Sequence, residues 1–378
     1  MMNSNLIMIL AMIIAFLYVQ LIMRFTFGWF SLDNNLSSYS VVSNSTTFSV
    51  IVAARNEETS ITRCLESIAL QNYPAHLFEL IIVNDHSTDN TQGLVHQFIE
   101  NHLGLSVRLL NAKGEGKKKA ITEGIKIANG KMILVTDADC IVSKGWIKSF
   151  SLAYEKSSTK CISGPVKIIG NGIFAGIQGL EFMSLIGSGA GSIGGRMPVM
   201  CNGANFCYEK AAFEEVGGFK GNDNYASGDD VFLMLKITKQ FGVGKVTFLK
   251  DQAAIVTTES QPTLSSFLKQ RLRWVSKSPG YTDFGIIMTA LSVFLANLWI
   301  LMGLGFGLST GLWQPFLLVS ISKLIIDLPL LFYVSGFLNQ KKLLIYYLPV
   351  QIMMPFYVVL IALVGLFSTV SWKDRQVK

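Results

Sequence analysis

Leu80-Ile-Ile-Val-Asn-Asp85-His-Ser-Thr-Asp89 and Met132-Ile-Leu-Val-Thr-Asp137-Ala-Asp139-Cys140 are two short apolar runs, each ending in clustered acids. A continuous run of β-branched and aliphatic residues is the pattern of a strand buried on both faces of a parallel sheet. Ligands in open α/β sheets bind beyond the carboxyl ends of the strands. Two carboxylates one residue apart at that place, Asp137 and Asp139, are poor packing but good oxygen ligands for a divalent cation. The arrangement suits a phosphate-bearing substrate.

The surrounding sequence continues the same rhythm. Ser49–Ala53, Leu80–Val83, Val107–Leu110 and Met132–Val135 read as strands. Ser60–Leu70, Thr91–Asn101 and Ala120–Ala128 read as helices between them. Strand and helix alternating at this pitch indicates βαβ units and a mainly parallel α/β sheet. No GxGxxG follows the first strand, which argues against a Rossmann dehydrogenase.

The ends of the chain are of a different kind. Of 378 residues, 50% are hydrophobic and only 15% charged, and the apolar excess lies at the termini. Leu6–Met23 is long enough to span a bilayer and is followed by Arg24 and an aromatic-rich exit. It lacks the basic start and small-residue cleavage site of a signal peptide, so residues 1–30 are expected to be an anchor. Residues 31–47 form a polar linker, and 48–281 the soluble domain. Three apolar blocks, Phe284–Leu308, Trp313–Leu338 and Leu343–Val370, make residues 282–370 a membrane domain of about three helices before a polar tail, 371–378. Pro349 and Pro355 divide the last block, which allows a kinked or re-entrant path. A cytoplasmic soluble domain puts Lys341 and Lys342 inside, as the positive-inside rule prefers, but leaves the basic tail outside against it.

The net charge of +7 is scattered, apart from Lys117-Lys118-Lys119, and matches a surface facing anionic lipid rather than a nucleic-acid module. Five cysteines without CxxC spacing and four histidines without a ligand pattern indicate reduced thiols and no zinc site.

Six short motifs fall in a telling order: Val52-Ala-Ala-Arg-Asn-Glu-Glu58, Val83-Asn-Asp-His-Ser-Thr-Asp89, Gly116-Lys117, Thr136-Asp-Ala-Asp139, Ser227-Gly-Asp-Asp230 and Gln270-Arg-Leu-Arg-Trp274. From Phe48 to Trp274 the chain resembles the family 2 glycosyltransferases of GT-A fold, with a nucleotide-sugar-binding, Rossmann-like mixed sheet carrying helices on both faces. The resemblance implies that Ala53, Glu57 and Asp85 contact the nucleotide base and ribose, and that Lys117 neutralises phosphate oxygens. It makes Asp137 a nucleotide-sugar or metal contact and Asp139 the main ligand of Mg²⁺ or Mn²⁺. It makes Asp230 the general base with Asp229 as its neighbour, the assignment between the two staying open. Gln270 then counts among the substrate-binding residues, Arg273 binds the diphosphate, for which a planar guanidinium is suited, and Trp274 walls the acceptor site.

Plainer readings stand beside these. Glu57 and Glu58 could serve a helix amino terminus, and Asp89 divides evenly between a site residue and a helix cap. Lys118 and Lys119 read as a solvated helix face. Phe267, Arg271 and Trp274 also fit an interfacial amphipathic helix. Ile173–Ile186, interrupted by Gln178 and Glu181, reads as a second interfacial helix, and the Gly-rich stretch 187–195 as a mobile gating loop. Lys323 and Asp327 read as a structural i,i+4 pair within an apolar block, with a role in guiding lipid or sugar as the alternative.

The resemblance thus implies an inverting transferase of hexosyl or N-acetylhexosaminyl units, held in a bacterial cell membrane with its catalytic domain towards the cytoplasm. The donor would be a nucleotide-diphosphate sugar, UDP-linked in most of the family. The favoured acceptor is a lipid or lipid-linked molecule, for cell-envelope glycolipid or glycan synthesis, because the Q-x-x-R-W motif abuts the first carboxyl-terminal apolar block. A processive polysaccharide synthase of the cellulose, hyaluronan or poly-N-acetylglucosamine kind is the alternative. For that, a homo-oligomer or accessory subunit would have to complete a channel. A non-catalytic nucleotide-sugar sensor ranks last, since every expected catalytic position is filled.

Overall fold

A computed structural model describes residues 4–33, 45–221, 228–367, 370–372 and 375–377. Most of the expected linker and Ser227 lie outside these residues. The chain opens with α1 (Ser4–Ser31) and enters the soluble region through β1 (Phe48–Ala54), α2 (Ile61–Ala69), β2 (Phe78–Asn84), α3 (Thr91–Asn101), β3 (Ser106–Asn111), α4 (Lys117–Ile127) and β4 (Met132–Asp137). β5 (Cys140–Val142), α5 (Trp146–Ser157), β6 (Cys161–Ser163) and β7 (Val166–Ile169) follow, and then the long α6 (Gly172–Gly194). β8 (Phe206–Glu209), α7 (Lys210–Glu215), α8 (Asp229–Phe241), β9 (Val246–Phe248), β10 (Val256–Glu259) and α9 (Leu264–Val275) complete this region. The remainder is α10 (Phe284–Thr310), α11 (Gln314–Phe337), α12 (Tyr347–Phe367) and a hairpin of β11 (Val370–Trp372) and β12 (Arg375–Val377).

The main sheet has seven strands in the order β3-β2-β1-β4-β8-β6-β9. β8 runs antiparallel to both β4 and β6, and the other pairings are parallel. β2 is buried at every position, as its unbroken apolar run requires. Helices cover the sheet with amphipathic faces: in α2 the buried positions Ile61, Cys64, Leu65 and Ile68 recur at helical spacing. The register pairs Ala53 with Asp137 on one side and with Val83 on the other, so the β1, β2 and β4 loops leave the sheet at one edge. A second, three-stranded sheet, β5-β10-β7, flanks it.

Among the described residues, five segments are long and apolar enough to cross a membrane: α1, α6, α10, α11 and Lys341–Gly365, which ends in α12. The second of these corrects the sequence expectation. The stretch from Ile173 to Gly194 is neither a short interfacial helix nor a gating loop; it is continuous helix, two-thirds buried. Its glycines allow α1 to press against it. A Cβ on Gly191 would stand 2.2 Å from the Phe25 carbonyl oxygen, and one on Gly28 1.9 Å from that of Gly191. Glycine normally weakens a helix by roughly 0.5–1 kcal/mol, but here it permits backbone-to-backbone packing that larger residues forbid. The two polar interruptions are also used. Gln178 exchanges hydrogen bonds of 3.0 and 2.9 Å with the Gln261 backbone, and Glu181 binds Arg271 of α9.

α12 runs alongside α9. Tyr357 stacks on Phe267 with ring centroids 5.8 Å apart, and eight residues further along both helices Gly365 lies against Val275. β11 then packs beside α9 as well. The chain therefore returns to the helix that carries the Q-x-x-R-W motif, and the described part of the tail begins there rather than on the far side of the helical bundle.

Candidate active site

The loops after β1 and β2 are tied to each other before they meet any ligand. Asn56 accepts from the Thr88 backbone at 2.8 Å, Thr91 Oγ1 accepts from the Glu57 N–H at 2.8 Å, and Glu58 accepts from Asn90 at 3.0 Å. Asp89 accepts from the Thr91 and Glu58 N–H groups, each at 3.0 Å, and so fastens the loop and the start of α3 together. Asn56 and His86 hold left-handed backbone, φ 50° and 57°, one in each loop. Such residues cluster where a site must be held in one shape. Glu57 accepts from Ser60 at 2.8 Å, at the start of α2. Asp85 is buried and accepts the Gly116 N–H on both carboxylate oxygens at 3.2 and 3.1 Å. Gly116 needs its φ of 99° to present that N–H and start α4 in one turn.

α4 supplies two lysines. Lys117 pairs with Asp137. Burial works against its charge, but Asp137 and Asp229 more than offset it and hold its pKa above the ordinary lysine value. Lys118 is not a solvated lysine, as the sequence suggests; it lies 3.6 Å from Asp229, and both side chains are largely buried. This contact spans α4 and α8, so nothing in the local pattern announces it.

Asp137 and Asp139, with Cys140, place one donor atom each within 4.8 Å of the others. Asp139 opens into the cavity while protein surrounds it on its other sides. Burial, then the charges of Asp137 and Glu57, push its carboxyl up to about 6. Burial also drives the Cys140 thiol well above its usual value, so it stays protonated and the oxygens are the ligands on offer. Two carboxylates in a pocket that also holds Lys117 and Arg273 suit Mg²⁺ or Mn²⁺.

Opposite stand Asp229 and Asp230, the first residues of α8. Burial raises Asp229, Lys118 and Lys117 hold it back, and the Asp230 charge adds to the rise. Asp230 accepts from its own Val231 N–H at 2.8 Å. Gly203 leaves the space in front of it: a Cβ there would be 3.3 Å from Asp230 Oδ2. Asn205, two residues on, is a structural rivet, accepting from Trp146 Nε1 and donating to Pro165 and Ala254, all at 2.8 Å.

The two arginines of Gln270-Arg-Leu-Arg-Trp274 part company. Arg271 is buried and grips Glu181 with two bonds, Nε at 3.1 Å and NH2 at 2.6 Å. Its guanidinium lies 4.5 Å from the Phe267 ring and 4.2 Å from the Trp274 ring. Gln270 accepts from Arg271. Arg273 lines the cavity, as Arg271 does, but among the charges of the acids. Burial lowers its pKa, and the nearby charges of Asp137, Asp229 and Asp139 oppose that.

One cavity of about 890 Å³ joins these groups. Lys117, Asp137, Asp139, Asp229, Asp230, Gln270, Arg273 and Trp274 all line it. Ala53, Glu57 and Asp85 do not; they sit at the neighbouring ends of β1 and β2. Lys277 and Tyr281, absent from the sequence expectations, line it too. Lys277 packs over Gly228, and its place four residues after Arg273 was the available signal. Burial and the Asp230 charge push the Tyr281 phenol up.

Residues 49–217 match the profile of glycosyl transferase family 2. The "Probable glycosyltransferase YdaM" of Bacillus subtilis is 26% identical over 239 residues, covering 60% of this chain and 54% of that protein. The poly-beta-1,6-N-acetyl-D-glucosamine synthase of Staphylococcus epidermidis is 26% identical over 231 residues, 60% of this chain and 53% of that one. The chain thus spans about half the length of these relatives. The mannosyltransferase PcManGT of Pyrobaculum calidifontis, solved with GDP-Man and Mn²⁺, superposes with a TM-score of 0.57 at 17% identity, over 96% of this chain and 99% of that one. The fold is therefore of the GT-A type, a mixed α/β sheet with helices.

Proposed function

We propose that this chain, whose residues 49–217 are a glycosyltransferase family 2 domain, transfers a sugar from a nucleotide-diphosphate donor to a hydroxyl of a membrane lipid or lipid-linked acceptor. The donor is UDP-linked in this reading, and the anomeric configuration inverts. The observation that carries it is the single cavity, which begins at the four aspartates and Arg273 and continues between the apolar helices α10 and α12. A soluble sugar acceptor has no use for that second half.

Asp230 takes the proton of the acceptor hydroxyl, and the oxygen attacks the anomeric carbon. The bond from that carbon to the diphosphate breaks on the opposite face, and the nucleoside diphosphate leaves with the electron pair. Lys117 and Arg273 balance its charge, the guanidinium by a planar fork suited to phosphate oxygens. Asp139 and Asp137 would hold Mg²⁺ or Mn²⁺, which when bound stabilises the leaving diphosphate as a Lewis acid. Asp229, neutral more readily than an exposed acid, shapes the field around Asp230. Ala53, Glu57 and Asp85 receive the base and ribose at the adjoining strand ends. The five apolar segments hold the chain in the membrane.

The processive alternative draws support from the likeness to the S. epidermidis synthase. Purified chain in lipid nanodiscs, given a panel of nucleotide sugars with and without EDTA, separates the two. The single-transfer reading expects one glycolipid product that EDTA abolishes. A ladder of polymers would favour the alternative, and no transfer from any donor would overturn both.

A further inference from the structure

The cavity does not end in plain hydrocarbon. Its far part is lined by Tyr18 of α1, Lys323 and Asp327 of α11, and Gln351 of α12. These four satisfy one another: Lys323 donates to Asp327 at 2.5 Å and to Gln351 at 2.8 Å, while Tyr18 and Gln351 donate to Asp327 at 2.8 and 3.0 Å. Lysine and aspartate cancel in charge, so the cluster offers a neutral polar wall.

Asn297 of α10 is different. It lines the same cavity and is 1% exposed, and its Nδ2 donates to the Val293 carbonyl at 2.7 Å. Its Oδ1 is buried and finds no hydrogen-bond partner among the described residues. An orphaned amide oxygen inside an apolar bundle is costly, and such an atom in a cavity wall points to a ligand that donates to it. Thr289, two turns nearer the acids on the same helix, also lines the cavity with its hydroxyl unpartnered among the described residues.

Depth follows from helix geometry. Asn297 lies thirteen residues beyond Phe284, hence about 20 Å along the axis from the end of α10 nearest the acids. α10 and α11 form a hairpin in which Gly303 faces Phe316 and Gly307 faces Trp313. Continuing that pairing puts Asn297 level with Lys323. Both polar features therefore share one depth, far from the aspartates, with Thr289 and a largely apolar lining between.

Resting on the lipid-acceptor reading, we infer that the acceptor is an amphiphile with polar groups at both ends of its apolar body. One hydroxyl is presented to Asp230, and a second, uncharged hydrogen-bond donor is received by Asn297 beside the neutral Lys323 and Asp327 cluster. An acceptor with a bare hydrocarbon tail leaves Asn297 unpaired.

The test is binding to the purified full chain, read by native mass spectrometry after release from detergent. The probes are a series of long-chain α,ω-diols and their length-matched monoalcohols. The diol of fitting length is expected to bind about tenfold more tightly than its monoalcohol, the worth of one net hydrogen bond. Asn297→Leu should erase that preference and leave monoalcohol binding intact. Equal binding of the two alcohols by the unaltered chain, or a preference that survives Asn297→Leu, overturns the inference alone. Binding of neither alcohol at any length overturns the lipid-acceptor reading beneath it. Should Asn297→Leu fail to fold, the comparison in the unaltered chain still decides.

Discussion

Arg271→Met and Arg273→Met should fail in opposite ways, although the two arginines are two residues apart in one motif. Removing the Arg271 guanidinium leaves Glu181 buried, with only the Tyr357 hydroxyl, at 3.1 Å, still donating to its carboxylate among the described residues. Breaking a buried pair from one side costs about 3–5 kcal/mol, and loss of the stacking on Phe267 and Trp274 adds up to about 1 kcal/mol for each ring. Against a total of roughly 5–15 kcal/mol for a folded domain, a loss near 4 kcal/mol leaves a marginal protein. The double variant Arg271→Met/Glu181→Leu removes both charges and should recover to within about 1 kcal/mol of the parent. Arg273→Met, in the cavity wall, should shift stability by less than about 1 kcal/mol and lower transfer by at least about 10²-fold. Urea titration in mild detergent, followed by tryptophan fluorescence, reads the first quantity, and sugar transfer the second. The reasoning is refuted if Arg271→Met unfolds like the parent, or if Glu181→Leu deepens the damage instead of relieving it.

Other outcomes follow from the same geometry. Asp230→Asn should cost about 10²–10⁴ in transfer with donor affinity unchanged, measured by nucleotide-sugar binding beside turnover. Because Asp139 titrates at about 6, Mn²⁺ affinity, read by electron paramagnetic resonance, should weaken below that pH, by up to about tenfold per pH unit. A raised carboxyl pKa means the metal-free fold binds more protons than the unfolded chain, so its stability should fall as pH rises from the usual carboxylate range through about 6. Added Mn²⁺ should reverse that trend, and a profile flat in both conditions would remove Asp139 from the metal site. Lys118→Met takes away a charge that holds Asp229 down, so the acidic limb of the pH–rate profile should move to higher pH. Gly191→Val would put a methine carbon 2.2 Å from the Phe25 carbonyl, an atom that cannot swing aside. Folded protein should be lost from membranes, as judged by size-exclusion profile.

What the sequence made legible was whatever depends on short-range pattern. The β2 and β4 runs and the acids that end them are local, whereas the register that pairs Ala53 with Asp137 is set in the assembled sheet. Features set by tertiary neighbours were not legible. Gly187, Gly189, Gly191 and Gly194 of α6 read as loop because propensity alone disfavours them in helix; the partner that rewards them, α1, is more than 150 residues away. Lys118 read as solvated because its acid lies on α8. Arg271 and Arg273 could not be told apart within one motif, since the distinction rests on Glu181 in another helix. Asn297 gave no signal at all, being one amide in a long apolar run.

In chain order, α6 stands between β7 and β8, and β8 is the strand that bridges β4 to β6. The segment that carries the chain from β7 to β8 is therefore the one packed on α1. One segment, α6, thus belongs both to the strand-to-strand path of the sheet and to the packing of the apolar helices. A graft of the transferase domain onto a foreign anchor must carry α1 and α6 together. A related chain with larger residues at Gly28 or Gly191 must either cross these helices differently or change both partners at once.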